Sequence, residues 1–395
     1  MTTLERLWTK PFILMTIGNL FLFVAFYMLY PTLPPYIKQM GASEFQVGLA
    51  MGAFALSAVL FRPLVGGLLD RFGRHPFIVW GILLFTLAMY LYGWVGGILV
   101  LIGLRILHGL SWALSTTAMI TSITDVIPSA RRGEGMGWFS TSMTLAMAVG
   151  PLFGISITQH QSYSTLFLFA VVLSAAALIL TFGSKAPFQP QPGARQIELY
   201  EKSVLPLAMS VFFLFIAYGG ITTFVPLFAG TIQVNSGVFF LTFAATLAFS
   251  RPISGKLSDR YGEMAIIVPS LVITISSLIV LSLSTGLIGV LISAVLYGIG
   301  FGSAQPAFQS ATILLARPDR KGVANATIST ANDLGIGLGA ILLGWVSQHT
   351  NYRVLFIVSA VAVAVSLVLF TLFVRRLPKE KIQSLNEDSL PVESN

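Results

Sequence analysis

Twelve apolar runs, each able to cross a hydrocarbon core that takes roughly 20 helical residues, limit what this 395-residue chain can become. They predict helical spans near 11–33, 45–69, 76–95, 97–124, 136–159, 163–183, 204–228, 236–258, 264–284, 286–314, 322–348 and 352–374. The first is too long for a cleavable signal, and no small-residue cleavage pattern precedes the polar Tyr36-Ile37-Lys38-Gln39. A chain that is 55% hydrophobic and 10% charged has too little polar surface to clothe a soluble domain, so lipid is the solvent it folds in. Cysteine is absent, which removes disulfides and thiolate metal sites and says nothing about compartment.

The net charge of +8 would suggest nucleic acid in a soluble protein, but its distribution points elsewhere. With the N-terminus in the cytoplasm, eighteen Lys and Arg residues fall on inside segments and only Lys38 and Arg353 on outside loops. That positive-inside bias places both termini in the cytoplasm. Anionic lipid headgroups, rather than nucleic acid, are the partner it implies. The outer loops are very short, so function must reside within the membrane. A linker, 184–203, carries Pro187, Pro190, Pro192 and Gly193 among charged residues. It separates an N-terminal six-helix half, 1–183, from a C-terminal half, 204–375. The tail, 376–395, rich in Glu, Ser, Asn and Asp, reads as disordered.

One stretch occurs twice. Arg62-Pro63-Leu64-Val65-Gly66-Gly67-Leu68-Leu69-Asp70-Arg71-Phe72-Gly73-Arg74-His75 is echoed by Arg251-Pro252-Ile253-Ser254-Gly255-Lys256-Leu257-Ser258-Asp259-Arg260-Tyr261-Gly262. Arg62 and Arg251, Asp70 and Asp259, and Gly73 and Gly262 are each 189 positions apart without a gap, so the chain is an internal duplication. Each copy ends an apolar run with small residues, a charged pair and a glycine suited to a tight turn, as a helix leaving the bilayer would.

Gly66 to His75 resembles the loop 2-3 signature of the major facilitator superfamily, and Gly255 to Gly262 its weaker echo in loop 8-9. The superfamily's plan covers nearly the whole chain and implies an all-α membrane protein of twelve helices in two pseudo-symmetric six-helix halves. Arg105-Ile106-Leu107-His108-Gly109 resembles its pattern Arg-x-x-Gln-Gly, with His108 in place of glutamine. Gly137, Ala146, Gly150-Pro151 and Gly154 are similar to the span-five pattern of antiporters, from which Ala146 and Ile155 depart. Span eleven carries a diverged echo at Ala326, Gly335 and Gly339.

Gly150, Pro151 and Gly154 form either a kink with a small face for a neighbouring helix or a hinge or seal between the halves. Gly66, Asp70, Arg71, Gly73 and Arg74 form either a topology signal or a conformational latch that reaches Asp125 at the end of span four. The resemblance implies pairing across the inner surface that favours an outward-facing state, at about 1 kcal/mol per pair. Asp259 and Arg260 repeat the charges, but no acid ends span ten, so the latch is asymmetric.

A charge near the bilayer centre costs roughly 2.5–3.5 kcal/mol on insertion scales, so deep charges face a cavity or a partner. Arg62 and Arg251, two turns from the boundary, read as snorkelling or helix-capping residues. Asp333 is the only acidic residue deep in any predicted span. It is either a carboxylate satisfied by Asn332, Asn325 or backbone, or a protonatable coupling site. Arg105 and His108 are one turn apart on span four, which in the superfamily's plan lines the central cavity. His108 there is either structural or a hydrogen-bonding or proton-relay residue. Asn19, Tyr27, Trp112, Tyr218, Gln305 and Gln309 complete the cavity candidates. No second histidine or carboxylate is spaced for a metal, and no cofactor is implied.

The expectation is a monomeric, multi-pass secondary transporter of the inner, or cytoplasmic, cell membrane that works on a small molecule and is no enzyme. Its resemblance is to the drug:proton antiporter branch: proton-coupled efflux of an amphiphilic or hydrophobic compound by alternating access. The alternative is a solute importer, or a dedicated metabolite or metallophore exporter, on the same fold. A membrane-embedded transferase would need an acidic or histidine cluster at one membrane face, and Asp70 and Asp259 are each hemmed by arginine. A scaffold or sensor is opposed by the polar groups kept at depth.

Overall fold

The computed structural model describes residues 6–128, 131–184, 200–317 and 321–374, and these are helical apart from short connections. Twelve helices follow one another: α1 (Lys10–Gln39), α2 (Glu44–Phe72), α3 (His75–Tyr92), α4 (Ile98–Val126), α5 (Arg132–His160), α6 (Tyr163–Phe182), α7 (Leu205–Thr231), α8 (Ser236–Tyr261), α9 (Glu263–Leu283), α10 (Leu287–Leu315), α11 (Lys321–His349) and α12 (Tyr352–Val374). By length and composition all twelve can cross a membrane. The protein is a multi-pass membrane protein.

Local chemistry explains where the helices start and stop. Thr9 accepts the Phe12 N–H at the head of α1, and Ser43 with Gln46 forms a reciprocal capping box at the head of α2. Gly73 and Gly262, at φ of +87° and +83°, end α2 and α8 in the left-handed region that a side chain avoids. α1 runs six residues past its expected end, through Pro34 and Pro35 to Gln39. Those prolines fall in its last two turns, and packing against neighbouring helices tolerates the lost backbone bonds in a membrane segment.

The duplication is a structural register. α10 begins and ends 189 positions after α4, and α11 does the same after α5. Packing repeats as well: α1 against α5 and α2 against α4 correspond to α7 against α11 and α8 against α10. At the end of the expected linker, residues 202–204 form one 3-10 turn, and the buried Glu201 donates its N–H to Thr327 Oγ1 at 3.0 Å on α11. Residues 185–199 of the linker and the tail, 376–395, lie outside the described residues.

The halves meet along two seams, α2 with α11 and α5 with α8, of which the first is the more extensive, and α1 also meets α7. Small residues let α2 and α11 approach: a Cβ on Gly52 would stand 2.5 Å from the Gly337 carbonyl oxygen, and one on Gly48 would collide with that of Ala340. Beyond them Phe45 N–H donates to Gln348 Oε1 at 3.2 Å, and Tyr352 Oη to Glu44 Oε1 at 3.3 Å. On the other seam Ile155 packs against Gly237. These contacts cluster at the end opposite the chain termini and seal it.

Candidate functional site

Between the halves lies a cavity of about 240 Å³, below the roughly 300–1,000 Å³ usual for a drug-sized ligand. Its wall is aromatic because α1 sets Phe23, Phe26, Tyr27 and Tyr30 at helical spacing on one face, joined by Phe54 of α2 and Trp112 of α4. The Phe26 and Trp112 rings stack with centroids 3.9 Å apart. From the other half, Tyr218 of α7 stacks on Phe301 of α10 at 4.6 Å. Met143, Met147 and Ile336 add adaptable apolar surface.

Against this apolar lining stand a few polar groups: Arg62, Gln305, Ser329, Asn332 and Asp333. Arg62 Nη2 lies 2.9 Å from Asp333 Oδ2, joining α2 of one half to α11 of the other. Both side chains keep 23% of their surface exposed, and both belong to the cavity lining. Arg251 of α8 makes the corresponding contact on the other seam. Its Nη1 donates to Thr144 Oγ1 of α5 at 2.8 Å and its Nη2 to Gln305 Oε1 at 2.6 Å. The expectation that these two arginines snorkel or cap helices is therefore corrected. Partners across the interface hold both at depth, as the cost of an isolated deep charge requires.

Of the residues expected at the cavity, Tyr27, Trp112, Tyr218, Gln305 and Asp333 line it. Arg105 and His108 do not. They sit about two turns and one turn beyond Trp112 along α4, packed against the Phe54 ring, which itself lines the cavity in front of them. Arg105 Nε donates to the Ala50 carbonyl at 3.0 Å, and its Cζ lies 4.5 Å from the Phe54 ring centroid. His108 is fully buried, with Nδ1 at 3.0 Å from Tyr92 Oη and 3.4 Å from Arg105 Nη1. Arginine has only donors, so Nδ1 accepts and the ring proton sits on Nε2. His108→Gln keeps an acceptor for Tyr92, and transport within about twofold of wild type is expected, with a thermal-shift assay reporting a loss of at most ~1.5 kcal/mol. Loss of all transport in a folded His108→Gln protein would instead place the coupling proton on that ring.

Asn19 Nδ2 donates to Ser142 Oγ at 2.9 Å, a tie between α1 and α5 within one half. Gln309 Nε2 donates to Asn325 Oδ1 at 2.8 Å, away from the cavity. Gly150 and Gly154 face α1 of their own half, where a Cβ on Gly150 would stand 2.6 Å from that of Tyr27. Pro151 lies between them inside an unbroken α5. The seal between the halves is thus built by other residues, because the small face of α5 is spent on α1.

In the latch cluster, Arg74 Nε lies 3.1 Å from Asp125 Oδ2, tying the α2–α3 turn to the end of α4. The guanidinium groups of Arg71 and Arg260 each lie over the next aromatic ring, Phe72 at 5.2 Å and Tyr261 at 5.1 Å. Gly66 meets no neighbour, and Gly73 makes the turn. The side chains of Asp70 and Asp259 lie outside the described residues. Arg62, Phe54, Met143, Met147, Ser329 and Asn332 were not singled out from sequence as cavity residues. For Arg62 the signal was present, since it opens the repeated stretch.

Two pseudo-symmetric six-helix halves around a central cavity are an architecture found in membrane secondary transporters. The sequence profile of the Major Facilitator Superfamily matches residues 15–340 and 233–393, and the chain belongs to that superfamily. It is 26% identical to the "Staphylopine export protein" of Staphylococcus aureus (strain Mu50 / ATCC 700699), over 91% of this chain and 95% of that protein. It is also 26% identical to the "Multidrug resistance protein MdtG" of Klebsiella pneumoniae (strain 342), over 95% and 96% respectively. Among solved structures, a bacterial homolog of the human lysosomal transporter Spinster, inward-facing and occupied, superposes with a TM-score of 0.78 at 17% identity, covering 93% of this chain and 96% of that one.

Proposed function

We propose that the protein exports a small amphiphilic or hydrophobic compound across the cytoplasmic membrane in exchange for protons. The observation that carries the reading is the ion pair between Arg62 and Asp333, which ties the two halves together at the cavity wall. With both termini in the cytoplasm, as the positive-inside bias predicts, the sealed end faces outward and the cavity belongs to an inward-facing state. Ionised Asp333 holds α11 to α2 in that state. A proton taken up by the carboxylate on the outer side removes the charge and frees Arg62; carried inward and released to the cytoplasm, it lets the ion pair re-form, so proton and substrate occupy the carrier in turn. The aromatic lining supports an apolar body on the substrate, and the names of the relatives support export.

A second reading, a dedicated exporter of one metabolite or metallophore, is favoured by the similarity to the staphylopine export protein over 91% of the chain. Transport in proteoliposomes with an imposed proton gradient, over a panel of lipophilic cations, amphiphilic carboxylates, sugars, small peptides and metallophores, tests both. Gradient-dependent flux of several unrelated amphiphiles is expected. Flux of a single compound would favour the second reading, and flux indifferent to the gradient would end the antiport claim.

A further inference from the structure

The two polar ties between the halves are copies of one another, and they are not equal. Arg62 and Arg251 are 189 positions apart, and so are Thr144 and Asp333, the residues they meet across the interface. At the first copy arginine finds a carboxylate; at the second it finds a hydroxyl. Among the described residues Arg251 has no acidic side chain within ion-pair distance, only the neutral Thr144 and Gln305. It is only partly buried, and although Arg251 is not itself part of the cavity lining, the Gln305 that it holds is, as are Tyr27 and Tyr218. A guanidinium has more N–H donors than these two bonds use. The cavity wall therefore carries one balanced pair and, bonded to its Gln305, a cation with no acidic partner among the described residues, in a medium where that is costly.

We propose that Arg251 binds a carboxylate-class anionic group carried by the transported molecule, which supplies the counter-charge that Thr144 does not. Gln305 and the two phenols hold the polar end, while the stacked Tyr218 and Phe301 rings receive the apolar part. The assignment rests on the cavity being the substrate site and selects, within the amphiphiles, those that carry a negative charge.

Isothermal titration of the full-length protein in nanodiscs with 2-naphthoate, 2-naphthamide and 2-naphthylmethylammonium, which share one ring system, tests it. The naphthoate is expected to bind about tenfold tighter than the amide, as a hydrogen-bonded charge pair predicts, with the ammonium weakest. Arg251→Gln should bring naphthoate to within about twofold of naphthamide. Thr144→Asp, which places at the second seam the acid found at the first, should do the same, and Arg251→Lys should keep the order. The reported quantity is a charge preference, so a merely structural Arg251 would not move it. Absence of naphthoate binding, equal or better binding of the amide or the ammonium, or a preference that survives Arg251→Gln would overturn the proposal. No gradient is present in this assay. A carboxylate preference without proton-driven flux therefore defeats the antiport reading alone, and the converse defeats the assignment of Arg251 alone.

Discussion

Asp333→Asn is expected to lower the initial rate of gradient-driven transport at least tenfold, while exchange of substrate without a gradient survives in part. Asparagine is nearly isosteric with the carboxylate and can still accept a hydrogen bond from Arg62, so the seam keeps a contact and the chain folds. What it cannot do is change charge. A permanently neutral residue 333 mimics the protonated carboxylate, and the step in which proton release re-forms the tie with Arg62 is lost. Leaving a partly buried guanidinium without its counter-charge costs about 1–3 kcal/mol, a modest fall in thermal stability that separates this outcome from misfolding. Parallel assays of proton-driven uptake and counterflow read the difference, and a full driven rate in Asp333→Asn would remove that residue from the coupling step.

The second large effect belongs to the sealed end. A Cβ on Gly52 would lie 2.5 Å from the Gly337 carbonyl oxygen and 2.6 Å from Ile341 Cγ1. A leucine there cannot be accommodated unless α2 and α11 separate. Overpacking of this kind costs roughly 1–3 kcal/mol, and it is paid only in the state where the seam is shut. It thus shifts the ratio of the two states by about 5- to 150-fold, enough to stall a cycle whose states differ by a few kcal/mol. Gly52→Leu should insert and fold, lose nearly all transport, and lengthen the distance between spin labels at Phe45 and Gln348, which touch in the closed arrangement. Unchanged distances with normal transport would show that the seam does not open in the cycle.

Much of the fold is legible because a bilayer permits few solutions. Apolar runs of spanning length must be helices with their backbone groups satisfied internally, and the gapless repeat fixes that the second half copies the first. Residues that lie far apart in sequence but touch across the interface were not legible. Nothing local in the α2 sequence announces that Arg62 meets a carboxylate on α11, 271 positions away by subtraction of the residue numbers. Side-chain cover misled at Arg105 and His108: their place on α4 follows from sequence, but the rings of Phe26 and Phe54, which pack against them and line the cavity in their stead, come from α1 and α2. Local satisfaction misled at Asn19 and Gln309, since a polar residue in a membrane helix is as well served by Ser142 or Asn325 as by a ligand. Tyr27, Trp112 and Tyr218 were singled out as large aromatics in cavity-facing spans, and all three belong to the cavity lining.

The most direct test of the account is the proton flux that accompanies substrate. Proteoliposomes loaded with the pH dye pyranine are given, from outside and without an imposed proton gradient, the panel compound with the highest driven flux. Exchange of substrate for protons predicts that the lumen turns alkaline as the compound enters, that a protonophore cancels the signal, and that Asp333→Asn takes up the compound by counterflow with no change in lumenal pH. Uptake by the wild-type protein with no lumenal pH change, or a signal of equal size in Asp333→Asn, would contradict it.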